Sequence, residues 1–272
     1  MSDSDSHPTA MARRRIAELA GAMRFFSRLP VPHIVAEDDP AAPPSMARMA
    51  WAVPVAGALV ALPGAVVLWI GHALALPGLL AGALAVLALV ATTGALHEDG
   101  LSDTLDGFGG GRTRERKLEI MRDSRIGAYG AAGLVLSILI RTISLAALVD
   151  AAGPWTAIAG LLGGQSLSRL AAIGVMALLP PARPGGLSAS AGRPSGGDFA
   201  NAILVAALMA LLILGPAFGL LAPLIGLVIA VAVTLGIAGL AEREIGGQTG
   251  DVAGATQQAA EIALLVTFVA AR

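Results

Sequence analysis

Seven long apolar runs separated by short polar segments dominate this chain: Trp51–Leu74, Gly78–Leu96, Gly127–Val149, Trp155–Leu179, Phe199–Phe218, Leu220–Leu240 and Val252–Ala271. Each approaches the roughly 20 apolar residues needed to cross a bilayer core. The pattern predicts an all-α, polytopic membrane bundle of six or seven transmembrane helices, the count turning on the short break around "LGPAFGLLAP". Glycine and proline recur inside the runs, which membrane helices tolerate better than soluble ones. Ahead of the first run, Ala12–Leu29 sets Ile16, Leu19, Met23 and Phe26 on one side, with arginines flanking them. That spacing predicts an amphipathic helix lying on the membrane face. Residues 1–11 are expected to form a disordered leader, and residues 12–272 a single membrane-embedded domain. No clean apolar stretch precedes the prolines at 30 and 32, so a signal peptide is not expected.

Composition agrees with the pattern. Hydrophobic residues make up 56% of the 272 residues and charged ones only 14%, against roughly 25% in ordinary globular chains, and the mean hydropathy is +0.76. The chain has no cysteine, which excludes disulfides and thiolate metal sites. A net charge of −1 gives no basis for a nucleic-acid partner. The placement of Lys and Arg is more informative. Six arginines precede the first run, and six basic residues (Arg112, Arg114, Arg116, Lys117, Arg122, Arg125) lie between the second and third. Arg183, Arg193 and Arg243 fall in later alternate connections, and the intervening connections carry none. By the positive-inside rule the N-terminus and the segments 97–126, 181–198 and 241–251 share the cytoplasmic face.

The segment "HEDGLSDTLDG" puts four carboxylates into eleven residues at the end of an apolar run. Asp99, Asp103 and Asp106 stand at i, i+4 and i+7, within roughly 60° of one another on a helix. Like charges on one helical face repel, and the repulsion grows where water screens poorly. A solvated turn is one reading; a site for hard cations is the other. Oxygen ligands without cysteine or a histidine pair suit Mg²⁺ or Mn²⁺. Glu98 points sideways from this face and is left out of the ligand set. Glu115, Glu119 and Asp123 then repeat a spacing of four. Two antiparallel helices facing their acidic stripes together would enclose one or two divalent ions, with "GFGGG" as the turn between them. Divalent metal beside this basic loop suits phosphate or pyrophosphate chemistry, although the loop also serves the positive-inside signal.

Two arginines fall inside apolar runs, Arg141 and Arg169, and each should face the bundle interior or a polar cavity. Ser166 and Ser168 neighbour Arg169, which could reach an anionic substrate or pair with an interior carboxylate. In "GGQTGDVAGA", Asp251 is placed to cap the last helix, or Gln248, Thr249 and Asp251 line a site. Gln257 and Glu261 continue a polar face that should pack inward.

The pattern H-x-D-G-L-x-D-x-x-D-G, followed by "RTRERKLEIMRDSRIGAYG", resembles the cobalamin synthase family, the ribazoletransferases of cobalamin biosynthesis. "FFSRLPVP", "LSR" in the fourth run and "GGQTGD" occur in the family's order, so the resemblance runs from about Phe25 onward. It implies an Mg²⁺-dependent, multi-pass enzyme of the bacterial inner membrane with a cytoplasmic site. Such an enzyme joins adenosylcobinamide-GDP to α-ribazole or its 5′-phosphate and releases GMP. It leaves open a homo-oligomer or association with other corrinoid-pathway enzymes. The roles it implies are Asp99, Asp103, Asp106 and Glu119 as Mg²⁺ ligands, and Asp123 or His97 as the base. Arg112, Arg122, Arg125 and Arg169 are the expected phosphate ligands, and Ser168, Gln248, Thr249 and Asp251 further substrate contacts. A more distant similarity links Asp103, Asp106 and Gly107 to the CDP-alcohol phosphotransferases, with Glu119 and Asp123 replacing that family's second aspartate pair. A lipid-acceptor enzyme of that kind and a metal-ion transporter are the alternative functions.

Overall fold

The computed structural model describes residues 7–41 and 43–271. The fold is a helical bundle. The first helix, α1 (His7–Phe26), starts five residues earlier than the amphipathic pattern suggests, so residues 7–11 of the expected leader are helical; residues 1–6 lie outside the described part. Leu19 and Met23 pack against Met49, Ala52 and Ala56 of the next helix, so α1 docks on the bundle rather than on lipid alone. The helices that follow are α2 (Met46–Ala73), α3 (Gly78–Thr93), α4 (Leu96–Gly110), α5 (Arg114–Ile120), α6 (Ala128–Ala152) and α7 (Pro154–Leu178). The series ends with α8 (Leu187–Ala191), α9 (Gly196–Phe218), α10 (Leu221–Ile245) and α11 (Gly250–Ala270).

Six of these are long and apolar enough to cross a membrane: α2, α6, α7, α9, α10 and α11. The second expected span behaves differently. Its apolar part ends at Thr93, and the chain turns by 89° into α4, so the two helices pass as a span only when taken as a bent pair. Gly94 and Ala95 make the bend, both with left-handed backbone (φ +64° and +58°). Glycine accepts this freely, whereas an L-residue does so at a cost of ~1–2 kcal/mol. The polar leg α4 lies outside the six spans.

Hydropathy and burial run opposite to the order of a soluble protein. The four spans of hydropathy 2.2 or above, α2, α6, α9 and α10, are 56%, 39%, 22% and 28% buried, whereas α7 and α11 (both 1.3) are 83% and 67% buried. Lipid is as apolar as leucine, so the greasiest helices face outward and the helices carrying polar groups gather at the centre. Arg141, Arg169, Gln257, Gln258 and Glu261 are all at most 1% exposed. The three polar segments assigned to one face do converge there. Ala182 and Gln248 are paired by backbone hydrogen bonds, Ala182 N–H to Gln248 O at 2.8 Å and Gln248 N–H to Pro180 O at 2.9 Å. Arg114 donates to the Ile245 carbonyl at 2.7 Å and also to that of Ala182. Lys117 pairs with Glu244.

Candidate active site

The packing of α4 decides what its carboxylates can do. It crosses α11 at Gly100 and Gly254, so closely that a Cβ on Gly100 would stand 2.8 Å from the Asp251 carbonyl oxygen. The contact sets the start of α11 beside Asp99 and Asp103. Thr249 is the N-cap of α11, its hydroxyl accepting from Val252 N–H at 3.2 Å. Thr249, rather than Asp251, therefore caps the helix, and Asp251 in the first turn is free for other contacts. It takes the Thr249 hydroxyl at 3.1 Å and the Arg183 guanidinium at 3.3 Å.

A cavity of about 250 Å³ opens here, between the end of α1, the start of α4, the second half of α7 and the paired loops. Phe25, Phe26, Leu96, Ile173 and Met176 give it apolar walls; His97, Asp99, Arg183, Ser188, Gln248, Thr249 and Asp251 supply its polar groups. Arg28 N–H donates to Thr92 O at 2.7 Å, which pins the end of α1 to the bend. Phe26 thereby lies against His97, the rings nearly parallel (10°) and 5.9 Å apart. Gln248 accepts from Ser188 at 2.6 Å, which closes one wall.

The expected ligand set Asp99, Asp103, Asp106 and Glu119 is not brought together. Both oxygens of Asp106 are occupied, accepting Gly127 N–H at 2.7 Å and Gly130 N–H at 2.9 Å, so Asp106 secures the start of α6. Glu119 is exposed and pairs with Arg116 at 2.8 Å. Asp123 lies beyond the end of α5 and binds Arg125 through its side chain and the Arg125 N–H. That contact holds the Asp123 carboxyl down at about 2 and makes it a poor base. The "GFGGG" glycines are not a loop: Gly107, Gly109 and Gly110 end α4, and Gly111 caps it, so the second acidic stripe never faces the first. Asp103 instead has Asp99, Asp251 and Asp106 for neighbours. Burial first, then these three carboxylates, push its carboxyl up to about 7, against a smaller opposing pull from Arg183. The cluster that forms is Asp99, Asp103 and Asp251 with Arg183. Among the described residues no three His, Asp or Glu side chains stand close enough to enclose a metal ion.

The remaining expected residues divide in the same way. Arg112, Arg122 and Arg125 are exposed on the polar face, away from the cavity walls. Ser168 and Arg169 are fully buried beneath the cavity. Ser168 accepts from Gln257 at 3.0 Å; Arg169 donates to the Gln165 carbonyl at 3.2 Å and stands 5.7 Å from the Phe26 ring centre. Its Nε and Nη2 have no partner, nor does His97 Nε2. Deeper still, Arg141 joins Glu98 at 2.7 Å and Glu261 at 2.9 Å, with Gln258 bridging to Glu98 at 3.2 Å. Glu98, left out of the ligand set, is thus half of an interior charge balance. One signal could have found it: two intramembrane arginines require interior carboxylates, and Glu98 and Glu261 were at hand. Phe25, Phe26 and Arg183 carried no such signal.

Residues 18–269 match the family model described as cobalamin-5-phosphate synthase. The chain belongs to that family. Among curated relatives, the adenosylcobinamide-GDP ribazoletransferase of Azorhizobium caulinodans is 51% identical, the match covering 93% of this chain and 95% of that protein. Those of Xanthobacter autotrophicus and Bradyrhizobium diazoefficiens are 50% identical (93% and 96% covered) and 48% identical (96% of each). No solved structure matches. Family membership over nearly the whole chain sets aside the lipid-acceptor enzyme and the transporter.

Proposed function

We propose that this chain is an adenosylcobinamide-GDP ribazoletransferase, joining α-ribazole or its 5′-phosphate to the cobinamide moiety and releasing GMP. The observation that supports it at the level of residues is the cavity lining, where Asp99 and Asp251 meet Arg183 beside apolar walls, with Asp103 next to both carboxylates. In the reaction a ribose hydroxyl oxygen bonds to the cobinamide-linked phosphorus. The bridging P–O bond breaks, and GMP leaves with that oxygen and its electron pair. The hydroxyl proton passes to a carboxylate at the cavity, for which Asp251 is placed. Arg183 offers a fixed positive charge to the phosphates, and the exposed Arg112 and Arg122 add to the potential that draws a polyanion to this face.

Magnesium is part of the proposal. Three carboxylates with one arginine leave an excess of negative charge, and their hard oxygens fit a divalent cation. Among the described residues no three carboxylates close on an ion, so Asp99 and Asp103, one turn apart on α4, would hold it together with substrate phosphate oxygens; Asp106 and Glu119 are committed elsewhere. Such an ion supplies neutralisation of the pyrophosphate oxygens. The same reading puts the multi-pass bundle in the bacterial inner membrane with this face toward the cytoplasm, an orientation that the clustering of basic segments on it supports.

The test uses purified full-length protein in detergent with adenosylcobinamide-GDP and α-ribazole, following GMP by chromatography. GMP should accumulate with Mg²⁺ and stop on chelation. A folded preparation that releases none overturns the activity; release indifferent to chelator overturns the metal alone.

A further inference from the structure

We infer that the 250 Å³ cavity is the receptor for the acceptor nucleoside, holding the planar base of α-ribazole against Phe26 and His97 with its ribose at the carboxylate mouth. The inference rests on the transferase reading and assigns one of its two substrates to a place. Size is the first argument. At about 250 Å³ the cavity falls below the roughly 300–1,000 Å³ typical of pockets for drug-sized ligands. A bicyclic base with part of its sugar fits; a corrinoid ring or a whole nucleoside-diphosphate conjugate does not. The larger substrate must therefore approach from outside, across the polar face.

Chemistry is the second. The deep walls (Phe25, Phe26, Leu96, Ile173, Met176) are apolar, and two of them are aromatic. Phe26 and His97 stack on each other, nearly parallel with centres 5.9 Å apart, and both line the cavity, an aromatic wall against which a planar base can pack. A guanine, with several donors and acceptors around its rim, would leave most of them unpaired here. A dimethylbenzimidazole carries one ring-nitrogen acceptor and apolar edges. His97 lines the cavity, is only 3% exposed, and has an Nε2 with no partner. Leaving such an atom unpaired costs free energy, and a ligand nitrogen would recover it.

Charge at the mouth is the third. Asp99 and Asp251 line it against Arg183 alone. Carboxylates accept hydrogen bonds from sugar hydroxyls, so the mouth suits a ribose. A base seated at Phe26 leaves its sugar beside Asp99 and Asp251, the second of which is available to take a hydroxyl proton. The same carboxylates then serve both substrates, the nucleoside from below and the pyrophosphate from above.

Filling the cavity should separate the two substrates. In full-length protein, calorimetry with α-ribazole should show at least ten-fold weaker binding for Met176→Trp, and its KM should rise in parallel. KM for adenosylcobinamide-GDP should stay within two-fold, and free dimethylbenzimidazole should compete with α-ribazole alone. Ala189→Phe, at the cavity rim, serves as the second variant should Met176→Trp fail to fold. Wild-type affinity for α-ribazole in a folded filled variant would overturn the assignment, as would a ten-fold rise in KM for adenosylcobinamide-GDP instead. Wild-type protein that releases no GMP would be a failure of the transferase reading, seen before any variant is made.

Discussion

The chain contains two acidic stripes with the same spacing, and the bundle treats them differently. Asp99 and Asp103 project from a helix packed against α11, and Asp103 is half-buried among other carboxylates. Glu115 and Glu119 lie on the seven-residue α5, exposed, with Glu119 paired to its own neighbour Arg116. Asp123 falls past the helix end and closes a local contact with Arg125. Spacing by four places side chains on one face; whether that face meets a bundle or water depends on what the rest of the chain brings to it. Here it is the crossing at Gly100 and Gly254 that gives the first stripe a partner, Asp251, from 150 residues further along.

Substitutions that follow this division should rank accordingly. The strongest effect is expected at the interior pair beneath the first stripe. Arg141→Met would leave Glu98 and Glu261 buried without their shared cation, a loss of about 3–5 kcal/mol. Thermal unfolding in detergent should show it as a sharply lower Tm or no folded protein, and an unchanged Tm would mean that the interior balance is not structural. At the mouth, Asp103→Asn and Asp251→Asn should each lower turnover by about 100-fold, the scale of losing one group that stabilises transition-state charge, with Tm near wild type. Turnover within two-fold of wild type would dismiss the first stripe as the site. Asp106→Ala should behave as a cap deletion, costing about 1–2 kcal/mol of stability while leaving residual turnover in the molecules that stay folded. The smallest effect belongs to the second stripe. Glu119→Gln and Asp123→Asn should leave turnover within two-fold, and a 100-fold loss in either would restore that stripe to the catalytic centre.

Much of the architecture was legible in the sequence. Six of the seven expected spans agree with the observed helices to within about five residues, because a bilayer demands the same length of apolar run whatever the packing; the second stops short at the bend after Thr93. The interior facing of Arg141 and Arg169 followed from the cost of charge in lipid, and the convergence of the three polar segments from the alternation of Lys and Arg between connections. What could not be read was pairing across the bundle. Helical periodicity put Asp106 on the same face as Asp103, yet its oxygens were claimed by two amides at the start of α6. It put Glu98 off that face, which is the direction in which Arg141 lies. "GFGGG" read as a turn because glycine favours turns, but in α4 the Gly107 position lets Met121 and the Lys117 carbonyl approach closely. Each miss concerns a contact between residues distant in sequence or a glycine used for space, and neither leaves a periodic trace.

The close crossing of α4 and α11 also bears on how such an enzyme can diversify. Two backbones in near contact leave no room for graded adjustment: even a methyl group at Gly100 meets a carbonyl oxygen and wedges the helices apart. The separation of the mouth carboxylates is consequently a fixed gauge, set by main chain rather than by side-chain choice. The cavity floor is under no such restriction, since Ile173 and Met176 can change bulk without moving either helix at the crossing. Selection for a different acceptor base can act on that floor, while the spacing of the charges is inherited unchanged.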